Sequence, residues 1–206
     1  AGLPVLKTIA DLVATGDEIE RVEGVLSGTV GFISDRLMAG TPFSEALKEA
    51  DDLGFTEPDP REDLGGHDVA RKLVVLGRMA GFYFELEDVE ITPLLPGEGW
   101  ADMNVDDFWK RLPEVDAHFA ALREQALAAG HALRYLASVD DGQASVRMTE
   151  VPDGHPCASL SNSENLVTIV STRYEKTPLV VRGPGAGPEV TAAGVFADIL
   201  RALAES

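Results

Sequence analysis

Apolar positions recur at helical spacing through most of the first part of this chain and alternate with polar ones later on. A short helix is expected over 8–14, closed by Thr15-Gly16-Asp17. A strand follows over 20–26, with Val22, Gly24 and Leu26 on one face. Ser27-Gly28-Thr29 opens a helix that runs to about Met38, with Phe32, Ile33 and Leu37 inward and Gly40 as its stop. Thr41-Pro42-Phe43-Ser44 begins the next, whose core face is Ala46, Leu47, Ala50 and Leu53, and Gly54 ends it.

Pro58 and Pro60 flank Asp59 and bias Glu57 and Asp59 away from helical backbone, so 56–60 is a stiff acidic loop. It runs straight into a long helix with apolar positions Leu64, Val69, Ala70, Leu73, Val74, Leu76 and Ala80, ending at Gly81. The stretch 90–96 is extended and ends in prolines, which suits an edge or a connector. Residues 105–129 are mostly helical, with Phe108, Leu112, Val115, Phe119, Leu122 and Leu127 inward and a break or kink at Pro113. Strands over 131–139 and 143–151 flank Asp140-Asp141-Gly142, a hairpin signal. Two more strands, 166–172 and 179–182, lead through Gly183-Pro184-Gly185-Ala186-Gly187-Pro188 into a helix over 189–204. With helices early and strands late, the fold is α+β: a mixed sheet covered by helices on one face.

The 206 residues suit one domain or one plus a small appendage, and 45% hydrophobic content is ample for a core. The net charge of −18 argues against nonspecific nucleic-acid binding and against an anionic membrane surface. No apolar run reaches the roughly 18 residues of a membrane span. With Cys157 as the single cysteine, no internal disulfide can form, and a reducing, cytoplasmic setting fits. The start, Ala1-Gly2-Leu3-Pro4-Val5, reads like the interior of a protein and shows no signal peptide, so a fragment of a longer protein is expected.

Asp68 and Lys72, four residues apart, share a helix face. A lysine between apolar stripes is expected to be partly desolvated while the carboxylate holds its charge, which makes the pair a candidate proton-transfer device. The same spacing also describes a surface ion pair on an amphipathic helix. Gly183-Pro184-Gly185-Ala186-Gly187 lies between a strand and a helix N-terminus, a place where backbone can meet an anionic ligand or simply turn. It is not the dinucleotide fingerprint. Ser27-Gly28-Thr29, at a strand-to-helix turn, could donate hydrogen bonds to a ligand, but reads foremost as a helix cap. His67, His118, His131 and His155 have no metal-ligand spacing, and Trp100 and Trp109 look like packing residues.

The run from Leu53-Gly54-Phe55-Thr56-Glu57-Pro58-Asp59-Pro60-Arg61 to Gly65-Gly66-His67-Asp68-Val69-Ala70-Arg71-Lys72 resembles the homoserine dehydrogenase signature. Ala1-Gly2-Leu3-Pro4, Glu23-Gly24-Val25-Leu26-Ser27-Gly28-Thr29 and Arg182-Gly183-Pro184-Gly185-Ala186-Gly187 to Val195 fit the same family in order. The tail is most similar to the dehydrogenase half of bifunctional aspartokinase–homoserine dehydrogenases. The resemblance implies NAD(P)-dependent interconversion of L-homoserine and L-aspartate 4-semialdehyde, on the route to threonine, methionine and isoleucine. It implies that Lys72 is the proton donor, and that Glu57, Asp63 and Asp68 bind substrate. Gly54, Gly183, Gly185 and Gly187 would lie near the cofactor. Backbone carbonyls of Ala1 and Leu3 would form part of a sodium site.

It further implies that residues 1–206 are the catalytic and dimerisation domain, lacking the N-terminal Rossmann domain. The helix over 188–206 would pack on that nucleotide-binding domain, and the protein would be a homodimer. Phe55 departs from the family, in which many members carry tyrosine. The competing expectation is a noncatalytic dimerisation module of a larger aspartate-pathway enzyme.

Overall fold

The computed structural model describes residues 2–161 and 163–204. Its elements are α1 (Val5–Ala14), β1 (Ile19–Val25), α2 (Gly28–Ala39), α3 (Phe43–Asp52), α4 (Arg61–Leu64), α5 (His67–Met79) and β2 (Glu90–Ile91). After these come α6 (Val105–Arg111), α7 (Asp116–Ala128), β3 (His131–Asp140), β4 (Gln143–Pro152), β5 (Glu164–Ser171), β6 (Leu179–Pro184) and α8 (Pro188–Ala204). The strands make one mixed sheet in the order β2-β4-β3-β1-β5-β6, with β2 parallel to β4 and the other neighbours antiparallel.

β1 sits at the centre, where Val22 pairs with Val139 of β3 and Ile169 of β5. Side chains alternate across a strand, so Val22, Val139, Ile169, Ala137, Val146 and Val167 present one apolar face. Helices α2, α5 and α7 pack on that face, with α1 against α5 and α3 against α2 and α7. Phe43 and Phe119 stack at 4.1 Å where α3 meets α7. The opposite face carries a small cluster of Val25, Leu136, Val151 and Leu166, covered by Cys157 and Leu160 from a 3-10 turn, Pro156–Ser159. Buried Arg134 holds that turn by donating to the carbonyls of Cys157, Ala158 and Leu160, each at 2.9 Å. Cys157 is inert: burial pushes its thiol up to about 12.

The expected α+β class and one-sided helix layer match this architecture. The hairpin turns at Asp141 (φ 47°) and Gly142 (φ 76°), the two positive values a tight two-residue loop demands. Pro113 falls in a 3-10 turn, Leu112–Val115, and splits the 105–129 stretch into α6 and α7.

Three expectations differ from the structure. Leu53 follows the last turn of α3 and is 54% exposed, outside the core. Leu127 lies away from the buried stripe of Phe119 and Ala126 and is also exposed. The helix expected through Leu64 is two helices, α4 and α5, broken at Gly65-Gly66.

That break seats α5 on the sheet. Gly66 has φ +77°, and a Cβ there would stand 2.3 Å from the Tyr135 hydroxyl of β3. Tyr135 is buried and donates to the Thr92 carbonyl at 2.9 Å. α8, in contrast, buries none of its residues, and Val195, Phe196, Ile199 and Leu200 are all more than half exposed. Gly66→Ala should destabilise the fold by about 2–5 kcal/mol, adding left-handed backbone strain to overpacking against Tyr135. The check is the urea midpoint, which should fall with no change in slope; an unaltered midpoint would show that α5 does not depend on this seat.

Candidate active site

β1 ends at Val25, and the next carbonyl, Leu26 O, accepts a hydrogen bond from Lys72 Nζ of α5 at 3.1 Å. Ser27, in extended backbone, then caps α2 by accepting from Val30 N–H at 3.3 Å. Asp68 lies one turn before Lys72 and meets its Nζ at 2.7 Å. The ammonium has three N–H donors, and these contacts use two of them, so one is left for a ligand oxygen. Lys72 is 47% exposed and Asp68 58%, so the expected desolvation of the lysine is not found. Both groups sit at an open cleft mouth. As a bare ion pair this one adds little stability.

The loop after α3 is fastened at several points. Gly54 turns with φ +71°, and Phe55 N–H returns to Ala50 O at 2.9 Å. The Phe55 ring meets Phe32 edge-on, 5.3 Å between centroids. Thr29 Oγ1 donates to Phe55 O at 2.6 Å, and its hydroxyl is also within reach of the Asp63 carboxyl. The Glu57 N–H donates to Asp63 Oδ2 at 2.9 Å, folding the loop back on α4. Burial raises the Asp63 pKa, and the nearby Glu57 and Asp68 carboxylates raise it further. The Glu57 N–H and the Thr29 hydroxyl offset part of that rise.

These groups share one cleft of about 1160 Å³, lined by Thr29, Gly54, Glu57, Asp63, Asp68 and Lys72 among others. Leu3, Asn165, Gly185, Gly187 and α8 from Thr191 to Arg201 also line it. Gly183 is not in the wall; it pairs with Asn165 inside the β5–β6 ladder. Gly185 owes its small size to packing, because a Cβ there would lie 2.2 Å from Asn165 Oδ1. At Gly54 and Gly187 no atom stands within 4 Å of such a Cβ, so the backbone there is bare toward the cleft.

Comparison with known proteins is consistent in both sequence and structure. Residues 4–200 match the homoserine dehydrogenase family. The chain belongs to that family. It is 45% identical to a chloroplastic bifunctional aspartokinase/homoserine dehydrogenase of Zea mays, over 98% of this chain and 22% of that protein. It is 43% identical to the homoserine dehydrogenase of Emericella nidulans, over 98% of this chain and 58% of that one. A Candida auris protein of unknown function has the same structure, with TM-score 0.92 and 40% identity over 98% of this chain and 58% of that chain. The chain thus spans a fifth to three-fifths of the relatives it matches.

Within the family signature, the structure brings Glu57, Asp63, Asp68 and Lys72 to one side of the cleft. Asn165 was not singled out from the sequence; it donates to Val25 O at 3.3 Å across 140 positions, so no local pattern announces it. Thr29, flagged with Ser27 and Gly28 at the head of α2, donates to Phe55 O across 26 positions. Ala1 lies outside the described residues, and the Leu3 carbonyl accepts the Val5 N–H. Among the described residues there is no group of three or more His, Cys, Asp or Glu side chains that could hold a metal ion. No step is assigned to sodium.

Asp63 gives a pH-dependent prediction. In the unfolded chain it titrates at about 3.9, and in the fold it titrates higher. A raised carboxylate therefore weakens the fold above its folded pKa and has no such effect once both states are protonated. Asp63→Asn should raise Tm at neutral pH, and the gain should vanish by about pH 3.9. A variant whose Tm gain is the same at every pH would contradict the raised pKa.

Proposed function

We propose that this chain supplies the amino-acid half of a homoserine dehydrogenase active site, interconverting L-homoserine and L-aspartate 4-semialdehyde with NAD(P). The observation that carries this is the convergence of Glu57, Asp63, Asp68 and a doubly anchored Lys72 on a single cleft. In this reading the enzyme serves threonine, methionine and isoleucine synthesis, works in the cytoplasm and is a homodimer.

Reduction of the aldehyde places negative charge on its oxygen. Lys72, held by Asp68 and Leu26 O, presents its remaining N–H to that oxygen, stabilises the charge and delivers the proton. Asp68 orients the ammonium and accepts from the substrate hydroxyl. Glu57 and Asp63 receive the substrate ammonium. That pairing also favours the charged form of Asp63, because a cation beside a raised carboxylate lowers its pKa. Gly54, Gly185 and Gly187 would border the nicotinamide cofactor, which supplies or accepts the hydride when bound. In reverse, the same lysine takes up the hydroxyl proton.

Residues 1–206 then form the catalytic and dimerisation domain. The apolar face of α8, with Val195, Phe196, Ile199 and Leu200, packs on the nucleotide-binding domain of the whole protein. That face is too apolar and continuous to stay in water without a partner.

Two tests follow. In the whole protein, Lys72→Ala should lower kcat for NADPH-dependent reduction of aspartate semialdehyde by about 100-fold or more, and unchanged kcat would remove Lys72 from the chemistry. Hydrogen exchange should show α8 protected in the whole protein and fast-exchanging in this chain alone. Equal protection in both would refute the docking of α8.

A further inference from the structure

Arg61 stands between Glu57 and Asp63 in sequence, yet it takes no part in the cleft wall. Its side chain is only 18% exposed. Nε and Nη2 donate to the two Asp59 oxygens at 2.8 and 2.5 Å. Nη1 donates to Trp100 O at 3.1 Å and to Met103 O at 2.5 Å. The guanidinium also lies over the buried Phe108 ring of α6, 5.9 Å from its centroid.

The segment receiving these bonds, 92–104, has no helix or strand of its own, so its position depends on side-chain bonds and packing. It is braced on the other side. Trp100 Nε1 donates to Pro96 O at 2.8 Å, and the Arg111 guanidinium covers the Trp100 ring at 4.1 Å. Arg61, the first residue of α4, thus ties the start of Asp63's helix and, through Asp59, the Glu57 loop to an irregular segment anchored to α6.

We propose that Arg61 is a positioning residue for the amino-acid substrate, fixing Glu57 and Asp63 by bolting their loop to the Trp100–Met103 segment. The proposal rests on the reading of Glu57 as partner of the substrate ammonium. Asp59, between two prolines, pairs its carboxylate with the guanidinium, and this hydrogen-bonded ion pair holds the Asp59 carboxyl below its usual range. A planar fork can serve one carboxylate and two carbonyls at once; a lysine ammonium on a flexible stem cannot hold that geometry. If the fork is lost, the Trp100 and Met103 carbonyls lose a charged donor and the loop gains freedom. Glu57, four positions away on the same loop, then spends less time where it meets substrate, and binding weakens before chemistry does.

The test uses the whole protein and four forms: the parent, Arg61→Lys, Glu57→Gln and the double variant. Arg61→Lys should raise KM for homoserine about tenfold while moving KM for NADP less than about twofold. In the Glu57→Gln background the same change should add less than about threefold, because both act through one contact. An equal rise in both KM values, or full multiplication in the double variant, would overturn the proposal and leave Arg61 a general structural residue. If Glu57→Gln alone leaves the homoserine KM unchanged, the reading of Glu57 fails, and the proposal falls with it. Should Arg61→Lys not fold, Asp59→Asn is measured instead. It keeps the carbonyl bonds and loosens the fork, so a smaller rise confined to homoserine supports the proposal and no rise overturns it.

Discussion

The backbone of Gly66, at the start of α5, lies against the side-chain hydroxyl of Tyr135 of β3 with no room for a Cβ. The site depends on this contact. It stops α4 from running on into α5, so the two helices leave Gly65-Gly66 along separate courses. α5 then carries Asp68 and Lys72 to the end of β1, where Leu26 O accepts from the lysine. α4 holds Asp63 behind the Glu57 loop. A larger residue at 66 would shift both helices, and with them Asp63, Asp68 and Lys72.

The acidic side of the cleft is electrostatically strained around Asp63, which burial and the neighbouring Glu57 and Asp68 carboxylates push toward its protonated form. Beside it, a ligand that brings a cation is favoured, as an amino acid does through its ammonium. The arrangement also explains why Lys72 is exposed. The cleft is open beside the bare apolar face of α8, and a second domain laid on that face would close it and strengthen every charge interaction inside.

Much of the fold was legible because its signals are local. The hairpin at Asp141-Gly142, the break at Pro113 and the caps of α2 depend on a few adjacent residues, and the structure has them where the pattern places them. Errors arose where tertiary contact overrides periodicity. The apolar spacing of Leu64 with Val69 and Leu73 suggests one continuous helix, but the glycine pair between them answers to Tyr135, sixty-nine positions downstream of Gly66. Leu53 and Leu127 fit a helical stripe on paper and lie outside the one the core uses.

The sequence by itself determined the element order, the one-sided α+β layering, the family signature and the i,i+4 pairing of Asp68 with Lys72. Each follows from spacing within a single element or from a short motif. Only the tertiary structure decided which groups share the cleft, that the Asp63 carboxyl is buried and its pKa raised, and that Arg61 fastens the carboxylate loop to Trp100 and Met103. Burial and hydrogen bonds between residues tens of positions apart set these properties, and they exist only once the chain has folded.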